Sequence, residues 1–177
     1  MNILQNFDLS VIEALYHIHE PILDKIMIFF TDLGNTIWVV ITIWLLINKK
    51  TRKTGLKAAA ALIIFLLIVN VSLKPFFHKT RPFKYLKDIV LLIPEPSSFS
   101  FPSAHTASAF TMVYIFYKDI KKYFPGVLIL AILISLSRLY LSVHFPTDVM
   151  AGIGIGLFSG FLGNSLINNF EFKGEKQ

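Results

Sequence analysis

The run from Ala58 to Leu73 carries no charged side chain. With Leu56 and Lys57 it would cover about 27 Å as an α-helix at 1.5 Å per residue, close to the thickness of a bilayer's hydrocarbon core. Asn35–Ile47, with Trp38 and Trp44, Ser103–Tyr117, Val127–Val143 and Val149–Ile167 read as further crossings. Short basic segments, Asn48–Lys53 and Lys118–Lys122, close two of them. With 54% hydrophobic residues and a mean hydropathy of +0.62, the chain is too apolar for an ordinary soluble domain. The expected fold is all-α: a polytopic membrane helix bundle of about six helices, in one domain over residues 1–177. Five are spans, and the sixth is a short or interfacial N-terminal helical region.

In that N-terminal region, residues 8–19 place Leu9, Ile12, Leu15, Tyr16 and His19 at helical spacing, which gives an amphipathic helix. Pro21 then opens Ile22–Leu33, too short alone for a crossing of about 20 residues. Two arrangements fit: an interfacial helix followed by a short tilted one, which we prefer, or a single kinked span. No Lys or Arg precedes Lys25 and no small-residue cleavage site follows, so these segments are expected to stay in the mature protein. Residues 74–101 form a long polar connection whose Leu91-Leu92-Ile93 patch suits the membrane interface. In the last span, Gly152, Gly156 and Gly160 recur every four residues, a spacing for close helix approach within one bundle, or alternatively between two copies. The tail from Glu171 is expected to fray.

The absence of cysteine excludes disulfides, thiolate catalysis and Cys-ligated metals. The net charge of +6 lies mostly between apolar segments, which suits anionic lipid surfaces and topology control rather than nucleic acid. One face of the bundle receives ten cations: Lys49, Lys50, Arg52, Lys53, Lys57, Lys118, Lys121, Lys122, Lys173 and Lys176. The other receives six: Lys74, Lys79, Arg81, Lys84, Lys87 and Arg138. The positive-inside rule puts the richer face in the cytoplasm, and the contrast sharpens if Lys74, Arg81 and Arg138 serve a site.

Three clusters carry ionisable groups to membrane ends of the same sidedness, where such groups are costly and mark function. In the first, Lys74 and Arg81 are separated by six residues at the mouth of a span and suit an anion, the Arg fork taking two oxygens at once. A snorkelling basic rim is the plainer alternative, and Lys79, Lys84 and Lys87 are read that way. In the second, Pro102-Ser103-Ala104-His105 opens a helix whose free N–H groups favour anions, although Ser103 also fits a simple N-cap and His105 an interfacial histidine. In the third, Ser137-Arg138 precedes His144 and Asp148. Pro146 suits the first turn of the last helix, leaving His144 just outside and Asp148 within reach of its ring. A buried ion pair is the alternative there. Packing alone does not predict the joint pattern.

Lys74-x6-Arg81-Pro82, then Pro102-Ser103-x-His105, then Ser137-Arg138-x5-His144-x3-Asp148 resembles the tripartite signature of the type 2 phosphatidic acid phosphatases, the PAP2 family. The resemblance runs over about residues 70–150. Soluble bacterial acid phosphatases and vanadium haloperoxidases share this signature, and the hydrophobicity sides with the lipid phosphatases. Ala104 stands where the family usually has Gly, adding a methyl group beside the phosphate. The resemblance implies that His144 attacks phosphorus to give a phosphohistidine, that Asp148 orients its ring, and that His105 protonates the leaving oxygen. It further implies that Lys74, Arg81, Ser103, Arg138 and the backbone near Ala104 hold the phosphoryl oxygens. No cofactor or metal is expected, and activity should peak at intermediate pH. The expected partners are a lipid phosphate substrate and membrane lipids, with the site facing the cell exterior. Undecaprenyl diphosphate is the first choice of substrate, phosphatidylglycerophosphate or phosphatidate the second. A non-enzymatic lipid-phosphate binder or transporter is the alternative from another class.

Overall fold

The two apolar runs on either side of Gly34 join in one helix. α2 spans Pro21–Ile47, bent by 43° between Gly34 and Thr36. No proline interrupts it, so the ladder continues through a bend at the residue that lacks a Cβ. A Cβ at Gly34 would lie 2.9 Å from Ile134 and 3.2 Å from the His105 ring, so the bend seats α2 against two neighbours. This corrects the expectation of a separate short helix over Ile22–Leu33 and a separate span from Asn35.

The computed structural model describes residues 3–86 and 89–174, with no side-chain description for Asn35 and residues 171–174. All the regular structure among them is helical. α1 (Ile3–Tyr16) begins earlier than expected and, at 14 residues, is too short to cross a bilayer. α3 (Arg52–Leu66) runs on through a π-helical segment (Leu67–Leu73) into the short α4 (Lys74–Phe77). α5 (Ala104–Asp119), α6 (Phe124–Tyr140) and α7 (Pro146–Gly174) complete the bundle. The tail expected to fray from Glu171 is helical to Gly174, and residues 175–177 lie outside the described residues.

By length and hydropathy, the stretch from Arg52 to Lys84, helical as far as Phe77, and α7 can each cross a membrane, and α2 joins them when its two halves count as one span. α6 has 17 residues and α5 has 16, below that criterion. For α5 the reason is its position. It packs against α2, α3, α6 and α7, and burial of Thr106, Ala107, Phe110, Thr111 and Met112 shields it from lipid, so its sequence need not be strongly apolar. The main core gathers around it: Trp38 and Leu45 of α2, Ala58 and Ala61 of α3, Met112 and Ile115 of α5, and Ala131 and Ile134 of α6.

Gly152, Gly156, Gly160 and Gly163 of α7 face inward. A Cβ at Gly152 would stand 2.8 Å from the Ser103 carbonyl, at Gly160 2.6 Å from Tyr114, and at Gly163 2.5 Å from the Ala61 backbone. Gly156 lies equally tight against Ala107 and Thr111, whereas Gly154 faces open space. The spacing therefore serves packing within one bundle. This draws the start of α7 against the start of α5, where the Ser103 N–H donates to the Asp148 carbonyl at 3.1 Å.

Gly156→Ala should therefore destabilise the bundle by about 1–3 kcal/mol, because the nearest blocking atom is the Ala107 carbonyl oxygen, backbone that cannot yield. Gly154→Ala should stabilise it by about 0.5–1 kcal/mol through helix propensity alone. Thermal unfolding of the two variants in detergent checks the difference, and similar melting temperatures would contradict it.

Candidate active site

Lys74 reaches the interior through an irregularity in its helix. In the π segment the Lys74 N–H donates to the Val69 carbonyl, five residues back, and the Ser72 hydroxyl donates to Leu67 O at 3.0 Å. One wide turn changes the helical phase. Lys74 comes out buried while Phe76 and Phe77 stay exposed. His78, at φ 46°, then stops α4 in the left-handed region and releases the chain toward Arg81.

Arg81 is buried, and its donors are spoken for. Nε donates to Ser98 O at 2.9 Å, Nη1 to Val143 O at 2.6 Å, and Nη2 to Ser98 Oγ and Phe99 O. Nη1 also stands 3.3 Å from His144 Nε2. Lys74 Nζ donates to the same Ser98 hydroxyl at 2.9 Å, so one serine bridges the two cations of the first cluster.

α6 ends at Tyr140, three residues before the expected Val143. Ser142 adopts φ 55°, the left-handed conformation that closes many helices and is usually left to Gly. The turn folds Val143 and His144 back so that both N–H groups face the Arg138 carbonyl at 3.3 Å. Pro146 then opens α7 as expected. His144 lies just outside the helix and Asp148 in its first turn, with Nδ1 and Oδ2 3.6 Å apart. At that distance the two are close without a hydrogen bond, and they form an ion pair only when the ring carries a proton. Oδ2 already accepts from the Ser100 hydroxyl and from the Phe145 N–H at 2.9 Å.

Ser103 is the N-cap of α5. Its oxygen accepts from Thr106 N and, at 3.0 Å, from Thr106 Oγ1, so the plain capping expectation holds while its own proton is left to donate. Ala104 and His105 follow in the open first turn, whose N–H groups lack intrahelical partners. The Ala104 methyl packs beside Phe65, Val69 and Ala107, which accounts for where a side chain in place of Gly goes. Arg138, buried, donates from Nη1 to Thr31 of α2 at 2.6 Å.

The three clusters thus meet at one end of the bundle, and His105 lies within electrostatic reach of Arg138, His144, Lys74 and Arg81. His105 Nε2, Arg138 Nε and His144 Nδ1 are all buried without a hydrogen-bond partner among the described residues. Orphaned polar atoms of this kind are costly unless a ligand completes them. Fixed positive charge, a helix N-terminus and two imidazoles together can hold an anion and act on it.

Lys79 is not the lipid rim it was read as. Its Nζ donates to Asp148 Oδ1 at 2.8 Å and to Thr147 Oγ1 at 2.9 Å, and it lies over the Phe145 ring. Lys84 pairs with Glu95 at 2.6 Å with both side chains about half exposed, while Lys87 lies outside the described residues. Leu91, Leu92 and Ile93, expected at the interface, pack against Tyr140, Leu141 and Val143 under the site. Ser98, Ser100 and Asp8 were missed. Their partners are distant in sequence, so no local pattern marks them.

The sequence model of the PAP2 superfamily matches residues 54–171. An undecaprenyl-diphosphatase of Sulfolobus acidocaldarius is 32% identical over 158 residues, covering 88% of this chain and 76% of the relative. Phosphatidylglycerophosphatase B of Bacillus subtilis is 30% identical over 179 residues, covering 91% and 83%. The crystal structure of Aquifex aeolicus LpxE superposes with a TM-score of 0.80 at 31% identity, covering 92% of this chain and 98% of that one.

Burial pushes the His144 ring down to about 3, helped by the guanidiniums of Arg138 and Arg81 and opposed by the Asp148 carboxylate. Its folded value is thus below the ordinary 6.5, so the unfolded chain takes up the proton first as pH falls, and this residue draws stability away between 6.5 and 3. In the free protein the His144 ring should remain neutral at pH 5, read from ring-nitrogen NMR assigned with His144→Gln. A titration midpoint at or above 6.5 would contradict this.

Proposed function

Because this chain belongs to the PAP2 superfamily, we propose that it is a membrane-embedded phosphatase that hydrolyses a lipid phosphate or diphosphate through a phosphohistidine at His144. The observation that carries this reading is the setting of the His144 ring. Nδ1 faces the Asp148 carboxylate at 3.6 Å, while Nε2 stands 3.3 Å from Arg81 at the cation-lined end of the bundle. With Nδ1 holding the proton toward Asp148, Nε2 keeps the lone pair that attacks phosphorus.

In the first step the Nε2–P bond forms, the bond from phosphorus to the leaving oxygen breaks, and His105 gives that oxygen its proton. Asp148 stabilises the positive ring of the phosphohistidine. In the second step His105 takes a proton from water, whose oxygen attacks phosphorus, and the N–P bond breaks to return neutral His144 and inorganic phosphate. Charge spreads over the equatorial oxygens as phosphorus is transferred, so fixed donors carry most of the catalysis. Arg138, with its free Nε, and Lys74 are the main donors. Ser103 and the backbone N–H groups at Ala104 and His105 complete the cradle. Arg81 contributes charge more than free N–H groups, since its fork is occupied by carbonyls.

Undecaprenyl diphosphate is our first choice of substrate, supported by the similarity to a named undecaprenyl-diphosphatase. Phosphatidylglycerophosphate is the second, supported by the similarity to a phosphatidylglycerophosphatase. The cell membrane is the proposed location with the site on the exterior face, supported by the ten-to-six asymmetry of cations between the loops read from the sequence. A lipid-phosphate binder would need the cations but not a histidine poised between a carboxylate and an arginine, so hydrolysis is favoured.

Acid-quenched trapping of labelled phosphate, with turnover measured on both lipids, tests the assignment. Wild type should retain label, and His144→Ala should lose both label and turnover. Asp148→Asn should bind phosphate while turning over about 10⁴-fold more slowly, by analogy with removing the orienting carboxylate of a triad. His105→Ala should be most impaired on substrates with poor leaving groups. Label kept by His144→Ala but lost from His105→Ala would exchange the two roles, and turnover without His144 would end the reading.

A further inference from the structure

Asp8 is 3% exposed, although it sits on the surface-lying α1 beside Ile3, Leu4 and Phe7, which are open. Its neighbours Leu9 and Ile12 dock on Phe145, the residue after His144. The docking aims Asp8 at the start of α7. Oδ1 accepts the Thr147 N–H at 3.1 Å and Oδ2 accepts the Thr147 hydroxyl, so a carboxylate from α1 caps the positive end of α7. The same Oδ2 lies 3.6 Å from Lys79 Nζ.

Lys79 joins this cap to the site. Its ammonium stands between two carboxylates, Asp8 on one side and Asp148 at 2.8 Å on the other, above the Phe145 ring at 4.4 Å. Asp148 is fully buried, and a buried carboxylate must have its oxygens satisfied. Ser100 and the Phe145 N–H hold Oδ2, which leaves Oδ1 to Lys79. Without Lys79, Oδ1 loses the only cation hydrogen-bonded to it among the described residues, and the carboxylate is free to turn from the His144 ring. Without Asp8, Lys79 keeps Asp148 and Thr147 but loses the second carboxylate beside its ammonium, and Thr147, which Lys79 also holds, loses its own anchor on α1.

We propose that Asp8 and Lys79 are positioning residues for phosphoryl transfer, through which the N-terminal helix holds the Asp148 carboxylate against His144. This rests on the reading of Asp148 as the orienting carboxylate. Neither residue touches the phosphoryl group, so their loss should lower kcat and leave KM nearly unchanged. A substitution confined to stability would instead lower the melting temperature in step with activity.

The test uses the full chain in detergent with a soluble short-chain lipid diphosphate, measuring kcat, KM and melting temperature. Lys79→Met and Asp8→Asn should each lower kcat about 10- to 100-fold, the scale seen when an outer partner that orients a site residue is removed. KM should stay within about twofold, and Lys79→Arg should recover most of the loss. The Lys79→Met, Asp148→Asn double variant should be no slower than Asp148→Asn alone, because both act through one carboxylate. Unchanged kcat in the single variants, losses that multiply in the double variant, or a rise in KM alone would overturn the proposal. So would activity that returns fully on cooling along with the fold. If Asp148→Asn itself turned over at the wild-type rate, the reading of Asp148 would fail, and the proposal with it.

Discussion

A buried guanidinium holds the site end of this bundle together. Arg81 donates to the carbonyls of Ser98, Phe99 and Val143, which belong to two loops far apart in sequence. A charge removed from water must be met by oriented dipoles, and breaking such an arrangement costs far more than a surface pair contributes. Those carbonyls therefore cannot drift. Once they are fixed, Ser98 meets Lys74, Ser100 meets Asp148, and the chain at Val143 delivers His144 to the same place. The second buried guanidinium, Arg138, does the same for α2 through Thr31, so that bent helix is tied to the site as well as to the core.

That assembly needs α5 and α7 to start within hydrogen-bonding distance, and small residues make this possible. Gly152 lies against Ser103 and Thr106 and Gly156 against Ala107 and Phe110, so α7 adds no side chain of its own at these contacts and the two helix N-termini converge. Both termini carry partial positive charge toward the place where Lys74, Arg81 and Arg138 gather. Self-repulsion of so much positive charge is tolerable in a folded protein only if something negative compensates it. Asp148 supplies part, and a phosphoryl group would supply the rest. The helix packing and the anion chemistry are in this sense one design, with the backbone approach of α7 serving both.

Much of this was legible from residues alone, and the parts that were not share a cause. The runs around Ala58–Leu73 and Val149–Ile167 read as spans because hydrophobicity is local, and Lys74, Arg81, His105, Arg138, His144 and Asp148 read as a site because their spacing puts them at helix ends. Whatever depended on distant pairing was hidden. Lys79 looked like one more basic side chain at a rim, since its partners are Asp148 and the unsuspected Asp8. The end of α6 was misjudged because Ser142 takes a left-handed conformation that a Gly would have advertised. The two runs that end at Leu33 and begin at Asn35 read as separate, yet Gly34 packs against Ile134 and His105 and α2 continues through a bend. The π turn before Lys74 left no trace in composition, because its residues are as apolar as those of the helix it interrupts.

The central claim is that these segments converge on one phosphoryl group attacked by His144 Nε2. A structure of the protein with bound vanadate, which mimics pentacoordinate phosphorus, tests it most directly. The account predicts vanadium bonded to His144 Nε2, its oxygens within hydrogen-bonding distance of Lys74 and Arg138, and one oxygen facing His105. Vanadate bonded to His105, or held by surface lysines away from His144, would contradict it.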